Sequence, residues 1–192
     1  MSLSNIVRYS ALILLPIVIF LLLAEFVLRW YLQSHTFYDV EMTRYAQEFK
    51  TESSNPSIGH IHIPGVRGRL MNVDVQINQD GLRDKEYSRL RSPDTRRLVF
   101  LGDSLTFGWG VEESLMFANL LEQELNAESA TEVINFGTGN YNTVQQTHLF
   151  LEKGLAYKPD TVVIFYFIND AELLPKKSLW SFMGNFRIAT FY

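Results

Sequence analysis

The stretch RRLVFLGDSLTFGWG, residues 96–110, runs four apolar residues, Leu98 to Leu101, straight into Gly102-Asp103-Ser104. An unbroken apolar run bounded by a glycine turn reads as a strand buried on both faces, the habit of parallel sheets covered by helices. A strand is expected over about 97–101. A serine at its mouth is either a helix cap or a nucleophile, and the ends of the later strands decide which.

Downstream the pattern alternates. Phe117, Leu120, Leu121 and Leu125 share one face of a helix expected over about 114–126. A second strand is expected over about 132–136. A second helix should span about 143–154, capped by Asn142 or Thr143 and ended at Gly154. A third strand, TVVIFYF, follows the turn at Lys158-Pro159-Asp160. This order predicts an α/β fold, a three-layer α/β/α sandwich around a parallel sheet, over 96–192. In such sheets ligands gather at the carboxyl ends of the strands, near a switch in strand order. Those ends carry Ser104, then Gly137-Thr138-Gly139-Asn140, then Asn169-Asp170. A hydroxyl, a glycine-rich turn and an amide are therefore expected at one edge.

Upstream, residues 31–95 read as a loop-rich connecting region with short alternating segments near 59–63 and 71–77. Residues 1–8 are a short tail and 9–30 an apolar helix. Twenty residues lie between Arg8 and Arg29, with Glu25 the only charge. At about 1.5 Å per residue they reach about 30 Å, a hydrocarbon thickness. Trp30, Tyr31 and Arg29 sit where interfacial anchors belong. Leu22, two positions before Ala24, is too large for a signal-peptidase site, so a retained transmembrane helix is expected, with the lipid bilayer as its partner. Lys and Arg are nearly balanced across it and do not set its orientation.

The composition excludes several classes. Of 192 residues 47% are hydrophobic and 20% charged, which fits a globular core. A net charge of −4 without any basic run gives no footing for nucleic acid. The absence of cysteine removes disulfides, thiolate zinc sites and a cysteine nucleophile. Gly137-x-Gly139 lacks the third glycine of a dinucleotide fingerprint, Asn142 standing there, and no phosphate loop exists. His60 and His62 share a strand face without a third ligand at metal spacing. No cofactor and no metal are expected.

Taken together the three blocks resemble the SGNH/GDSL hydrolase family over about Arg96 to Leu174. The upstream stretch VQINQDGLRDKEY is similar to the region preceding the core in membrane-anchored, exported members. The match of FLGDSLTFGWGV to the first block makes Ser104 the implied nucleophile and its amide the first oxyanion donor. VINFGTGNYNT resembles the second block, whose glycine donor falls by spacing on Asn140, with Gly139 one position early. FYFIND resembles the third, with Asn169 as amide donor and Phe167 where the family has glycine. Gly102, Asp103 and Asp170 are implied as structural neighbours of the site.

The resemblance also implies a base from an Asp-x-x-His block after the third. The chain's histidines are His35, His60, His62 and His148, all before Asn169. His148, in the second helix, is expected at the surface or in packing rather than as a substitute base. The expectation is therefore the N-terminal part of a membrane-anchored serine esterase or O-acyltransferase, facing the periplasm or the cell exterior. Its implied substrates are acyl esters, acetyl above all, of envelope carbohydrate or lipid. The alternative is an anchored binding protein that keeps the fold without turnover, with the apolar segment LWSFMGNFRIATFY, 179–192, meeting a protein partner; a histidine supplied by another subunit is a third option.

Overall fold

A computed structural model describes residues 3–34 and 36–171. The apolar C-terminal segment, 179–192, lies outside the described residues. The chain divides between Val40 and Glu41 into two compact units, each described by itself.

In the first unit, α1 (Leu3–Ser34) is one continuous helix with Pro16 inside it. Its stretch Leu12–Tyr31 has the length and apolarity to cross a membrane or to act as a signal sequence, and its side chains are exposed. Glu25 and Arg29 neutralise each other one turn apart, Arg29 Nη2 lying 2.6 Å from Glu25 Oε1. The helix outruns the 9–30 expected from hydropathy because nothing in the flanks breaks it.

The second unit is an α/β fold. The element β5 (Arg96–Leu101) forms the centre of a three-stranded parallel sheet, flanked by β6 (Thr131–Asn135) and β7 (Thr161–Ile164) in the order β6-β5-β7. Val99 pairs with Ile134 on one side and Val162 on the other. The alternation of β5 divides the core. Leu98 and Phe100 pack with Ala118 of α4 (Phe117–Asn126), whereas Val99 and Leu101 pack with Leu149 of α5 (Thr143–Glu152). One helix covers each face, giving three layers. With β5 central, the chain steps to β6 and then across to β7, so the switch in strand order falls at the carboxyl end of β5.

The helices depart from expectation in one place. The segment read as one helix over 114–126 is a 3-10 turn, Glu113–Leu115, then α4, because Met116 is extended (φ −64°, ψ 139°). The cap of α5 is as read: Asn142 accepts from the Gln145 amide and the Gln145 side chain accepts from the Asn142 amide, a complete capping box. In β7, Val162 and Ile164 remain partly exposed, unlike the buried β5.

The region before the sheet holds more than its two alternating segments. α2 (Tyr38–Arg44) runs into a π-helical turn, Tyr45–Phe49, then β1 (Lys50–Glu52). β1 pairs antiparallel with β2 (His60–His62), and β3 (Arg67–Leu70) with β4 (Val73–Gln76). Tyr45, Phe49, Leu70, Val75 and Ile77 bury Phe107, which lies just after β5, so residues 41–95 build core with the sheet.

Candidate active site

Ser104 opens α3 (Ser104–Phe107), a single turn directly after β5. Asp103 caps it, its carboxylate accepting from the Leu105 amide at 2.9 Å, so the carboxylate is committed to holding the turn. Gly108 closes α3 in the left-handed conformation (φ +79°). The C-terminal carbonyls are gathered by Arg83, buried to 1% exposure, which donates to Phe107 O at 3.1 Å and to Gly108 O and Val111 O at 2.6 Å each. Ser104 is half-buried, and among the described residues neither its hydroxyl nor its amide has a hydrogen-bond partner.

Gly102 is needed for space rather than for an unusual turn. Its φ is ordinary, but a Cβ there would stand 1.9 Å from Thr106 Oγ1. The absence of a side chain lets α3 fold back onto the strand end.

The turn after β6 lies against α3. A Cβ on Gly137 would fall 2.2 Å from the Phe107 nitrogen, and Thr138 N donates to Gly102 O at 3.1 Å. Asn135, the last residue of β6, ties the two segments: its Nδ2 donates to Thr106 O and its Oδ1 accepts from Gly137 N, both at 2.8 Å. The two candidate donors in this turn are not equivalent. The Gly139 amide donates to Tyr45 Oη at 3.1 Å. Asn140 is exposed, sits at φ +63°, and its amide has no partner among the described residues. The left-handed backbone is what a glycine at that position provides, and asparagine is among the few other residues that tolerate it.

The third segment joins the same rim. Phe165 N donates to Leu101 O at 2.9 Å, and a 3-10 turn, Ile168–Ala171, carries Asn169 and Asp170. Asp170 is buried and accepts from Gln146 Nε2 at 2.7 Å and from the Phe167 amide. Burial, with the charge of Asp103 adding to it, raises its carboxyl above the usual range. His148 is half-buried on α5.

Behind the second turn stands a polar network that spacing did not reveal. Tyr45 Oη, fully buried, accepts from Gly139 N and lies 2.6 Å from His62 Nε2. His62 Nδ1 lies 2.9 Å from Gly81 O. A carbonyl only accepts, so Nδ1 carries the proton and Nε2 accepts from the tyrosine. Burial pushes the His62 ring down to about 3, so it is neutral near pH 7. Lys50 Nζ lies 2.6 Å from Gly139 O and 3.0 Å from His60 Nε2, and Tyr141 donates to His60 O. The stretch QDGLRD is wired into this framework: Gly81 holds His62, Arg83 holds α3, and Asp84 accepts from the Asn135 amide at 2.8 Å.

No metal-ligating cluster occurs among the described residues, and His60 and His62 serve the turn instead. The rim can do one thing well. It carries the Ser104 hydroxyl and the Ser104 and Asn140 amides, each without a hydrogen-bond partner among the described residues, on turns at the carboxyl edge of a parallel sheet, the set of groups that acyl transfer through serine uses.

No curated protein matches the chain. The family model described as the GDSL-like Lipase/Acylhydrolase family matches residues 100–185, from within β5 through all three segments of the rim. That match, over residues that include all three segments of the rim, supports assigning them to the SGNH/GDSL hydrolase family.

Proposed function

We propose that this chain belongs to a membrane-anchored serine ester hydrolase or O-acyltransferase whose substrates are acyl, chiefly acetyl, esters of envelope carbohydrate or lipid. Ser104 Oγ attacks the acyl carbonyl. The developing oxyanion is held by the Ser104 and Asn140 amides and the Asn169 side chain. Collapse expels the alcohol, and water or a second hydroxyl takes the acyl group from Ser104. A hydrolase-type activity is what the family domain supports. The single observation that carries the finer reading is that the Ser104 hydroxyl and the Ser104 and Asn140 amides, on the turns after β5 and β6, have no hydrogen-bond partner among the described residues.

The apolar Leu12–Tyr31 helix supports an anchored domain, and its placement outside the cytoplasm is what the family resemblance implies. The family's base, an Asp-x-x-His segment after the third block, belongs on the far side of Asn169, whereas the four histidines of this chain precede it. Both ring nitrogens of His62 are already committed. The commitment of His62 to the turn leaves a second reading, a binding protein that holds acyl esters at the same rim without turning them over. Loss of a triad member leaves only about 10³–10⁴-fold catalysis over water.

Hydrolysis of p-nitrophenyl acetate and labelling by a fluorophosphonate, with Ser104→Ala as control, separate the two. We expect slow turnover and labelling, both abolished in Ser104→Ala. Turnover that survives the substitution removes Ser104 from the mechanism; neither turnover nor labelling establishes the binding reading.

A further inference from the structure

The peptide linking Gly139 to Asn140 has two polar ends that point opposite ways, as in any trans peptide. Its N–H is the free amide at the rim, and its carbonyl oxygen accepts from Lys50 Nζ at 2.6 Å. We propose that Lys50 is the positioning residue of the second oxyanion donor: its ammonium grips the Gly139 carbonyl from behind, aims the Asn140 N–H at the rim and polarises it. The inference rests on the hydrolase reading above.

Lys50 is built for this task and for no other visible one. It starts β1, whose register against β2 sets it opposite His62 and brings His60 within reach. The groups facing it are the Gly139 carbonyl, His60 Nε2 at 3.0 Å and the Tyr45 ring, whose centroid lies 4.2 Å from Nζ. Tyr45 in turn bonds His62 and the Gly139 amide. Among the described residues no carboxylate pairs with Lys50. A half-buried ammonium without a counter-ion is costly, and its charge is met here by a carbonyl, an imidazole lone pair and a π face. His60, pushed down to about 4 chiefly by burial, stays neutral and accepts.

Charge on a carbonyl oxygen draws electron density from the peptide nitrogen. Hydrogen bonds polarise one another in this way inside proteins, and charge-assisted bonds are roughly twice as strong as neutral ones. An N–H backed by an ammonium is thus a better donor to an oxyanion than one backed by water. Lys50 stands behind the peptide and does not enter the rim, so it acts through Asn140. Burial also lowers the Lys50 ammonium to about 7, so its charge, and with it the effect, is lost as pH rises through neutrality.

The test reads the peptide and the chemistry separately, on the full chain in detergent micelles. Gly ¹³C′ and Asn ¹⁵N labelling selects Gly-Asn peptides, of which the sequence has two, 139–140 and 184–185; Asn185→Gln removes the second signal. The Gly139 ¹³C′ and Asn140 ¹⁵N shifts should titrate together with a midpoint near 7 in the parent. The titration should be absent in Lys50→Met and in Lys50→Arg, whose guanidinium keeps its charge. Asp84, itself pushed up to about 7 by burial, bonds the Asn135 amide and supplies a control titration that survives in both variants. Shifts that stay flat in the parent, or titrate unchanged in Lys50→Met, overturn the proposal.

Kinetically, Lys50→Met should lower kcat about tenfold with KM nearly unchanged, a fraction of the 10²–10³ lost when an oxyanion donor is removed outright. Lys50→Arg should restore most of kcat and abolish the decline of rate above neutral pH, which a merely structural role would not move. Parent-like kcat and pH profile in Lys50→Met overturn the proposal. If the shifts titrate as expected but Ser104 neither turns over ester nor labels, the hydrolase reading fails while the grip of Lys50 on the turn stands.

Discussion

Asn140 shows how one residue can satisfy a backbone demand in a way that spacing alone leaves ambiguous. At φ +63° it occupies a region where a β-carbon is costly for most side chains, yet short polar ones are tolerated. The glycine that the family places there and the asparagine found here answer the same requirement. Gly139, one position earlier, has ring atoms of Tyr45 where a Cβ would go, 2.7 Å away, and its amide is committed to that tyrosine. Asn140→Gly should therefore change stability by less than about 1 kcal/mol and leave fluorophosphonate labelling of Ser104 nearly unaltered. Asn140→Val should cost about 1–2 kcal/mol, because a branched side chain resists the left-handed region. It should also slow labelling roughly tenfold as the donor swings away, part of the effect of losing a donor. Thermal melts and probe kinetics read both, and equal labelling of the two variants would show that this amide is not used.

The elements that carry the site are short, and their placement depends on close approach. α3 is one turn, held by Asp103 at its start and by Arg83 at its end, and it lies so near the turn after β6 that Gly137 admits no side chain. Gly137→Ala should cost about 1–3 kcal/mol through overpacking, and it should slow Ser104 labelling because α3 carries the nucleophile and must yield. Urea unfolding beside labelling rates checks this; a destabilised protein with parent-like labelling would show that α3 keeps its place. The same contrast explains what sequence reveals. β5, β6, β7 and α5 were legible because each repeats a period or ends in a recognisable cap, and each lies where expected to within a few residues. β1 and β3, Lys50–Glu52 and Arg67–Leu70, were not, since KTE and RGRL carry no alternation and become strands only through their partners. Ser104 and Asn140 were singled out by motif spacing. Lys50, Tyr45 and His62 were not, because Tyr45 meets Gly139 across 94 positions of chain and no local pattern encodes that meeting.

At the scale of the molecule, the buried polar framework behind the rim makes stability depend on pH. His60 and His62 are held down to about 4 and about 3, both chiefly by burial, from an ordinary 6.5. Between those values and 6.5 the unfolded chain binds their protons and the folded one does not, so their contribution is present above 6.5 and lost as pH falls. Asp84, raised to about 7 by burial, works against them: it stays protonated in the fold while the unfolded chain ionises above 3.8, so stability declines as pH rises through that window. Asp170, raised for the same reason, acts in the same sense as Asp84. Lys50, lowered from 10.5 to about 7, adds stability as pH rises between those two values. Each group is worth at most about 1.4 kcal/mol per pH unit while only one state binds its proton. Differences between variants isolate each from the rest. His62→Gln, whose amide can still accept from Tyr45, should reduce the slope of unfolding free energy between pH 4.5 and 6 by roughly one proton. Lys50→Met should flatten the rise between pH 7.5 and 9.5. Urea titrations of the full chain in micelles across both windows measure these slopes. A parent-like acid slope in His62→Gln would mean that this histidine takes up its proton equally in both states and that the network behind the turn is open to water.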